Sequence, residues 1–129
     1  MKFIIDANII ISALIKQKNN TAKIIINNKF LLITPDFLLL EINKYKKEIC
    51  KKSGLSLEEI EILITILFKH IEIIPLKNYQ KYLKQAKEIC PDENDVCYFA
   101  LALRTNTHIW SNDKALKNQN KSIKHKRDN

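Results

Sequence analysis

Glycine is almost missing from this 129-residue chain, which holds a single one, Gly54. That shortage excludes three phosphate-binding routes together. The Walker A loop, the Rossmann dinucleotide fingerprint and the Gly-rich kinase loop all need glycine to let phosphate approach the backbone. Cysteine is scarce too: Cys50, Cys90 and Cys97 are odd in number and show no Cys-x-x-Cys spacing. This argues against a disulfide framework or a zinc knuckle, and for reduced thiols in a cytosol. No run approaches the ~20 apolar residues that a membrane span needs. The apolar start after Met1-Lys2 is interrupted by Asp6 and Asn8, and no small-residue cleavage site follows, so it does not read as a signal peptide. The expectation is a cytoplasmic protein with no membrane partner.

Acidic residues are in the minority, 14 against 22 Lys and Arg, for a net charge of +8 and an isoelectric point near 9.4. With 46% hydrophobic and 28% charged residues, the composition is that of one globular domain with a single core. The basic balance favours an acidic partner, nucleic acid ahead of a membrane surface. A compositional bias toward Lys and Ile explains the same charge equally well.

Short β-branched apolar runs at residues 2–5, 30–34, 70–74 and 108–111 read as buried strands. Between them the pattern turns helical, over 8 to about 16, 21–28, 36 to about 51, 56 to about 68, 79–89 and 92 to about 104. Asp36 is expected to cap the third of these helices and Gly54 to stop it. Ser56-Leu57-Glu58-Glu59 is a capping box, which gives Glu59 a structural role. Asp113 is expected to begin a short last helix. Strands alternating with helices predict an α/β three-layer sandwich with a short, mainly parallel sheet of four strands, or five with a further edge strand. The domain spans residues 1–117, and 118–129 form a basic, polar tail. In such sheets sites lie beyond the carboxyl ends of the strands.

Four carboxylates stand at or near those ends. Asp6 closes Phe3-Ile4-Ile5, Glu41 interrupts Leu38-Leu39-Leu40 and Ile42, Asp95 opens an apolar run through Leu103, and Asp113 follows Ile109-Trp110-Ser111-Asn112. Several buried carboxylates in one place need a cation to neutralise them. Each also has a plain reading as a turn residue or helix cap. That reading is weakest for Glu41, which shares a helical face with Leu38, Ile42 and Tyr45. It is strongest for Asp92, which begins Asp92-Glu93-Asn94-Asp95 and suits a cap. The remaining acids, Glu58, Glu61, Glu72 and Glu88 among them, fit solvated helix faces.

The start Phe3-Ile4-Ile5-Asp6-Ala7-Asn8-Ile9-Ile10-Ile11-Ser12-Ala13-Leu14 resembles the opening of PIN-domain nucleases. Thr34-Pro35 leading to Glu41 is similar to that family's second strand and acidic helix. Asp92-Glu93-Asn94-Asp95 resembles its third acidic motif, and Trp110-Ser111-Asn112-Asp113-Lys114 its last. The resemblance covers residues 2 to 117. It implies that Asp6, Glu41, Asp95 and Asp113 form an acidic quartet binding Mg²⁺ or Mn²⁺, with Asp92 a peripheral acid of the site or a cap. Asn8, Ser111 and Asn112 would support the ligands or touch phosphate. The implied activity is metal-dependent hydrolysis of RNA by the toxin of a VapC-type toxin–antitoxin pair, with RNA, an antitoxin protein and a second copy of the chain as partners. One departure stands out. Family members add a fifth strand after the last acidic motif, whereas residues 117–129 hold one aliphatic side chain, Ile123.

Other chemistries fit less well. His70, His108 and His125 lack ligand spacing, and no Ser/His/Asp or Cys/His arrangement is assignable. Tyr45, Tyr79, Tyr82 and Tyr98 read as packing residues. Lys44, Lys46, Lys47, Lys51 and Lys52, with the basic tail, suit either a phosphate grip or a solvated face. Receiver domains want paired acids after the first strand, and haloacid-dehalogenase phosphatases want Asp-x-Asp where this chain has Asn8. A catalytically silent PIN-like module that binds RNA or protein is the alternative, favoured by the missing strand and opposed by the complete quartet.

Overall fold

Parallel strands are covered on both faces and so need near-continuous apolar sequence. Four segments meet that need: β1 (Lys2–Ile5), β2 (Leu31–Pro35), β3 (Ile71–Ile74) and β4 (His108–Trp110). The computed structural model, which describes residues 1–16, 20–27 and 29–111, joins them into one parallel sheet of order β3-β2-β1-β4. Register sets Ile4 of β1 beside Ile33 of β2 and Ile109 of β4, and all three are buried. The expected four-stranded α/β sheet is therefore present. A fifth strand after Asp113, the short helix there and the 118–129 tail lie outside the described residues.

Helices α1 (Ala7–Ile15) and α2 (Asn20–Ile26) connect β1 to β2, and α3 (Phe37–Ser53) and α4 (Leu57–Phe68) connect β2 to β3. These four pack on one another. The chain then reverses direction across the sheet, through α5 (Leu76–Tyr79), α6 (Leu83–Ile89) and α7 (Val96–Thr105), to reach β4 on the far side of β1. With right-handed crossovers, that reversal sends the second set of helices to the opposite face. α7 lies against β1, β2 and β4 while α5 and α6 cover it from outside. It is accordingly apolar nearly all round, with Val96 and Tyr98 through Leu103 buried.

Helix ends follow the local chemistry. Gly54 stops α3 in the left-handed region at φ 76°, its N–H donating to the Cys50 carbonyl. Ser56 and Glu59 exchange both capping-box hydrogen bonds at the start of α4. Asn106, at φ 52°, ends α7 in the same left-handed manner as Gly54. Among the described residues no helix is long and apolar enough to cross a membrane.

Two expectations need correction. Asp36 does not cap α3: its backbone is helical and its side chain makes no cap hydrogen bond. Its carboxylate turns instead to β3's exit, accepting from the Leu76 N–H at 3.0 Å and the Tyr79 hydroxyl at 2.6 Å. A phenol buried in apolar surroundings needs such an acceptor, and Asp36 gains more from two donors than from one cap. That anchor also divides the single helix expected over 79–89. The chain runs through α5, a 3₁₀ turn at Gln80–Tyr82, and then α6.

Candidate active site

β1 is central in the sheet, with β2 and β4 on either side. The connection after β1 runs toward β2, while β4 arrives from the other direction. That arrangement opens a crevice at the carboxyl ends of β1 and β4. Asp6 sits there, 4% exposed. Its extended backbone makes it the N-cap of α1, and Oδ1 accepts from the N–H groups of Asn8 (2.9 Å) and Ile9 (3.3 Å). Oδ2 accepts from the Ser111 hydroxyl at 3.0 Å. The strand end before it is also fixed, because the fully buried Thr34 hydroxyl donates to the Ile5 carbonyl at 2.9 Å. The carboxylate is thus held in one orientation from both sides of β1.

Glu41 arrives from the second turn of α3. Leu38 and Ile42 beside it are buried, so its helix face turns inward as the sequence implied. The Tyr98 hydroxyl of α7 donates to Glu41 Oε1 at 2.5 Å. Burial pushes the Glu41 carboxyl up to about 7; the Tyr98 hydrogen bond opposes the rise, the charges of Asp6 and Asp95 add to it, and Lys44 again opposes it. Tyr98, 2% exposed, is itself held well above the ordinary phenol range by burial and by the Glu41 charge. Asp95 stands at the entry to α7 as the last residue of a 3₁₀ turn (Glu93–Asp95), whose start Asp92 caps by accepting from the Asn94 N–H at 2.9 Å. Asp92 is exposed and caps this turn, not α7 itself as expected; the N-cap residue of α7 is Asp95, whose side chain makes no cap hydrogen bond.

A groove of about 380 Å³ opens at this cluster between α1 and α3, and Asn8, Glu41, Asp92 and Asp95 line it. Asp6, Glu41 and Asp95 therefore come from three separate segments to one place, the first and last close enough for their charges to act on Glu41. Asn8 borders the groove, and its backbone N–H supports Asp6. Ser111 is buried and supports Asp6 directly. Asn112 and Asp113 lie outside the described residues. Among the described residues no three His, Cys, Asp or Glu side chains form a ready metal cage. Oxygen-only donors of this kind nevertheless suit a hard divalent cation, and Mg²⁺ commonly takes one or two carboxylates and keeps its waters.

Sequence reasoning missed Tyr98 and Thr34 as parts of the site. Tyr98 lies three residues after Asp95 on the same helix, and a phenol in an otherwise apolar helical run signals a buried acceptor. Thr34 had no comparable signal, because its partner is a backbone carbonyl 29 residues away.

The family model described as PIN domain matches residues 4–128. The chain belongs to the PIN-domain family. Among solved structures, the crystal structure of VapBC2 from Rickettsia felis, bound to a DNA fragment from their promoter, is similar to this PIN domain. Its TM-score is 0.64 at 18% sequence identity, covering 92% of this chain and 92% of that one. At that identity the likeness is one of fold. No curated protein matches the chain.

Proposed function

We propose that this PIN domain is a metal-dependent endoribonuclease, the toxin component of a toxin–antitoxin pair. Asp6, Glu41, Asp95 and Asp113 would hold Mg²⁺ or Mn²⁺. The observation that carries this reading is the meeting of Asp6, Glu41 and Asp95 at the β1 exit, where burial raises the Glu41 carboxyl to about 7 and the Asp6 and Asp95 charges add to the rise. A buried carboxyl next to two others keeps its proton unless a cation replaces it. When bound, the cation would supply positive charge beside the scissile phosphate and lower the pKa of an attacking water. The chain's own part is positional. Ser111 and the α1 N–H groups fix the Asp6 oxygens, and Tyr98 fixes Glu41 Oε1. Asn8, Ser111 and Asn112 would complete the ligand support and the phosphate contact, and the nuclease unit would span 1–117, with the basic 118–129 tail available to phosphate. VapBC2 was solved bound to a DNA fragment from their promoter, which supports an antitoxin partner for this chain; a second copy of the chain would be a further partner.

The test is cleavage of single-stranded RNA by the purified chain with Mg²⁺ or Mn²⁺, with and without EDTA. Metal-dependent cleavage is expected, abolished in Asp6→Asn and Asp95→Asn and much less affected in Asp92→Asn. Equal cleavage by the first two variants overturns the assignment. A silent RNA- or protein-binding module is the second reading. Calorimetric titration with Mg²⁺ separates the two: the nuclease reading requires saturable binding that Asp6→Asn removes.

A further inference from the structure

The layer of short helices over α7 carries a charge pattern that the carboxylate site leaves unexplained. α5, the 3₁₀ turn and α6 all pack on α7. Tyr79 and Ala86 are buried on their inner side, with Tyr82, Leu83 and Ile89 half-buried. Lys77, Lys81, Lys84 and Lys87 occupy the intervening positions and are all exposed, so they fall on the outer side of this layer. Arg104, exposed in the last turn of α7, joins them. Its Nε–H donates at 3.1 Å to the carbonyl of Asn78, the residue between Lys77 and the turn that carries Lys81. We propose that this layer is a phosphate-gripping surface, separate from the groove, that holds the sugar–phosphate backbone of substrate RNA. The proposal rests on the nuclease reading for its choice of RNA as the polyanion.

These cations are not a share of an evenly basic surface. Residues 76–89 hold four lysines and one acid, Glu88, whereas α4 holds Glu58, Glu59 and Glu61 and no basic residue. Nor does the protein neutralise them itself. On α3, Lys46 pairs with Glu61 at 3.6 Å, Lys52 pairs with Glu48 at 3.0 Å, and the Lys44 ammonium lies 5.5 Å from the Tyr45 ring centroid. None of the four lysines of the outer layer enters an ion pair among the described residues. Like charges gathered on one face repel, and a polyanion relieves that repulsion while shedding its own counterions. Arg104 is already tied to backbone through Nε, so its guanidinium loses little freedom on meeting phosphate. The groove offers no such grip. Glu41, Glu48, Asp92 and Asp95 line it against Lys52, which is paired with Glu48. RNA must therefore be held from outside the groove, and the layer lies next to it in the chain. α6 leads through Cys90 and Pro91 into Asp92, five residues after Lys87. Contacts made through phosphate position a strand without reading its bases.

The experiment is fluorescence anisotropy of a labelled single-stranded oligoribonucleotide with the full chain in EDTA buffer, over a series of salt concentrations. The triple variant Lys77→Ala, Lys81→Ala, Lys84→Ala should bind more weakly. It should also flatten the dependence of log Kd on log salt by about 2, since each single-strand phosphate contributes about 0.7. The control triple Lys23→Ala, Lys47→Ala, Lys51→Ala removes the same charge from exposed positions of α2 and α3 and should change the slope far less. Equal urea midpoints verify that both variants fold. An unchanged slope in the first triple, or an equal change in the two, overturns the surface. Vesicles containing phosphatidylserine are the second probe. Sedimentation with them that needs Lys77, Lys81 and Lys84, while RNA binding does not, assigns the layer to a membrane and also overturns the proposal. The nuclease reading fails separately. Lysine-dependent RNA binding without Mg²⁺- or Mn²⁺-dependent cleavage removes the nuclease and leaves the surface, whereas cleavage with an unchanged salt slope removes the surface and leaves the nuclease.

Discussion

Asp6 and Glu41 occupy the same crevice under different regimes. Asp6 accepts hydrogen bonds on both oxygens, from two backbone N–H groups and the Ser111 hydroxyl, whereas Glu41 is half-desolvated and faces two other carboxylates. The Glu41 carboxyl titrates near 7 in the folded chain, against an ordinary value of 4.5. Between those values the folded state binds more protons than the unfolded one, so Glu41's contribution to stability is full below 4.5 and is lost as pH rises through 7. Urea unfolding of the metal-free chain and of Glu41→Gln across this window should show the natural chain losing stability relative to the variant as pH rises. A pH-independent difference would contradict the burial of Glu41. Glutamine keeps an acceptor for Tyr98, so the comparison isolates the proton. Glu41 was legible in the sequence because an acid between Leu38 and Ile42 has few bland explanations. Tyr98 was legible only as a phenol in need of an acceptor, because the identity of that acceptor depends on a residue 57 positions away.

At the level of elements, chain breaks were the most readable feature. The β-branched runs place β1 to β4 within a residue or two of their observed bounds, since a strand covered on both faces must be apolar throughout. Gly54 announced the end of α3 because only a residue tolerant of positive φ closes a helix in that way. A Cβ built on Gly54 meets nothing within 4 Å. Gly54→Ala should therefore cost only the backbone penalty of the left-handed region, about 1–2 kcal/mol, seen as a lower urea midpoint with an unchanged slope. A larger loss would mean that α3 and α4 meet more tightly at this turn than the open space indicates. The Asp36 expectation failed for a physical reason. An Asp before a helix is ordinarily a cap, but here the competing donors come from Leu76 and Tyr79, 40 and 43 residues on. No local pattern encodes that competition.

Strand order belongs to the whole molecule and is not written in any one segment. Placing β1 between β2 and β4 brings together Asp6, Ser111 and Thr34, which are distant in the chain. The acidic residues could be picked out one by one from the sequence, but their shared location follows from this order. If the crevice binds a cation only when folded, binding must stabilise the fold. Mg²⁺ at one hundred times its Kd should raise stability by about 2.7 kcal/mol, visible as a higher Tm that EDTA reverses. Asp6→Asn should show a much smaller rise, and an equal rise in the variant would place the cation elsewhere.

The Ser111–Asp6 hydrogen bond spans 105 positions, and that span has a consequence for the time at which the site comes into being. At about 5–20 residues per second on the ribosome, Asp6 is made roughly 5–20 s before the serine that orients it. During that interval β1 also lacks β4 as its neighbour. A nascent chain therefore carries Asp6 unaimed through that interval, and the crevice is assembled only after β4 and Ser111 have been made.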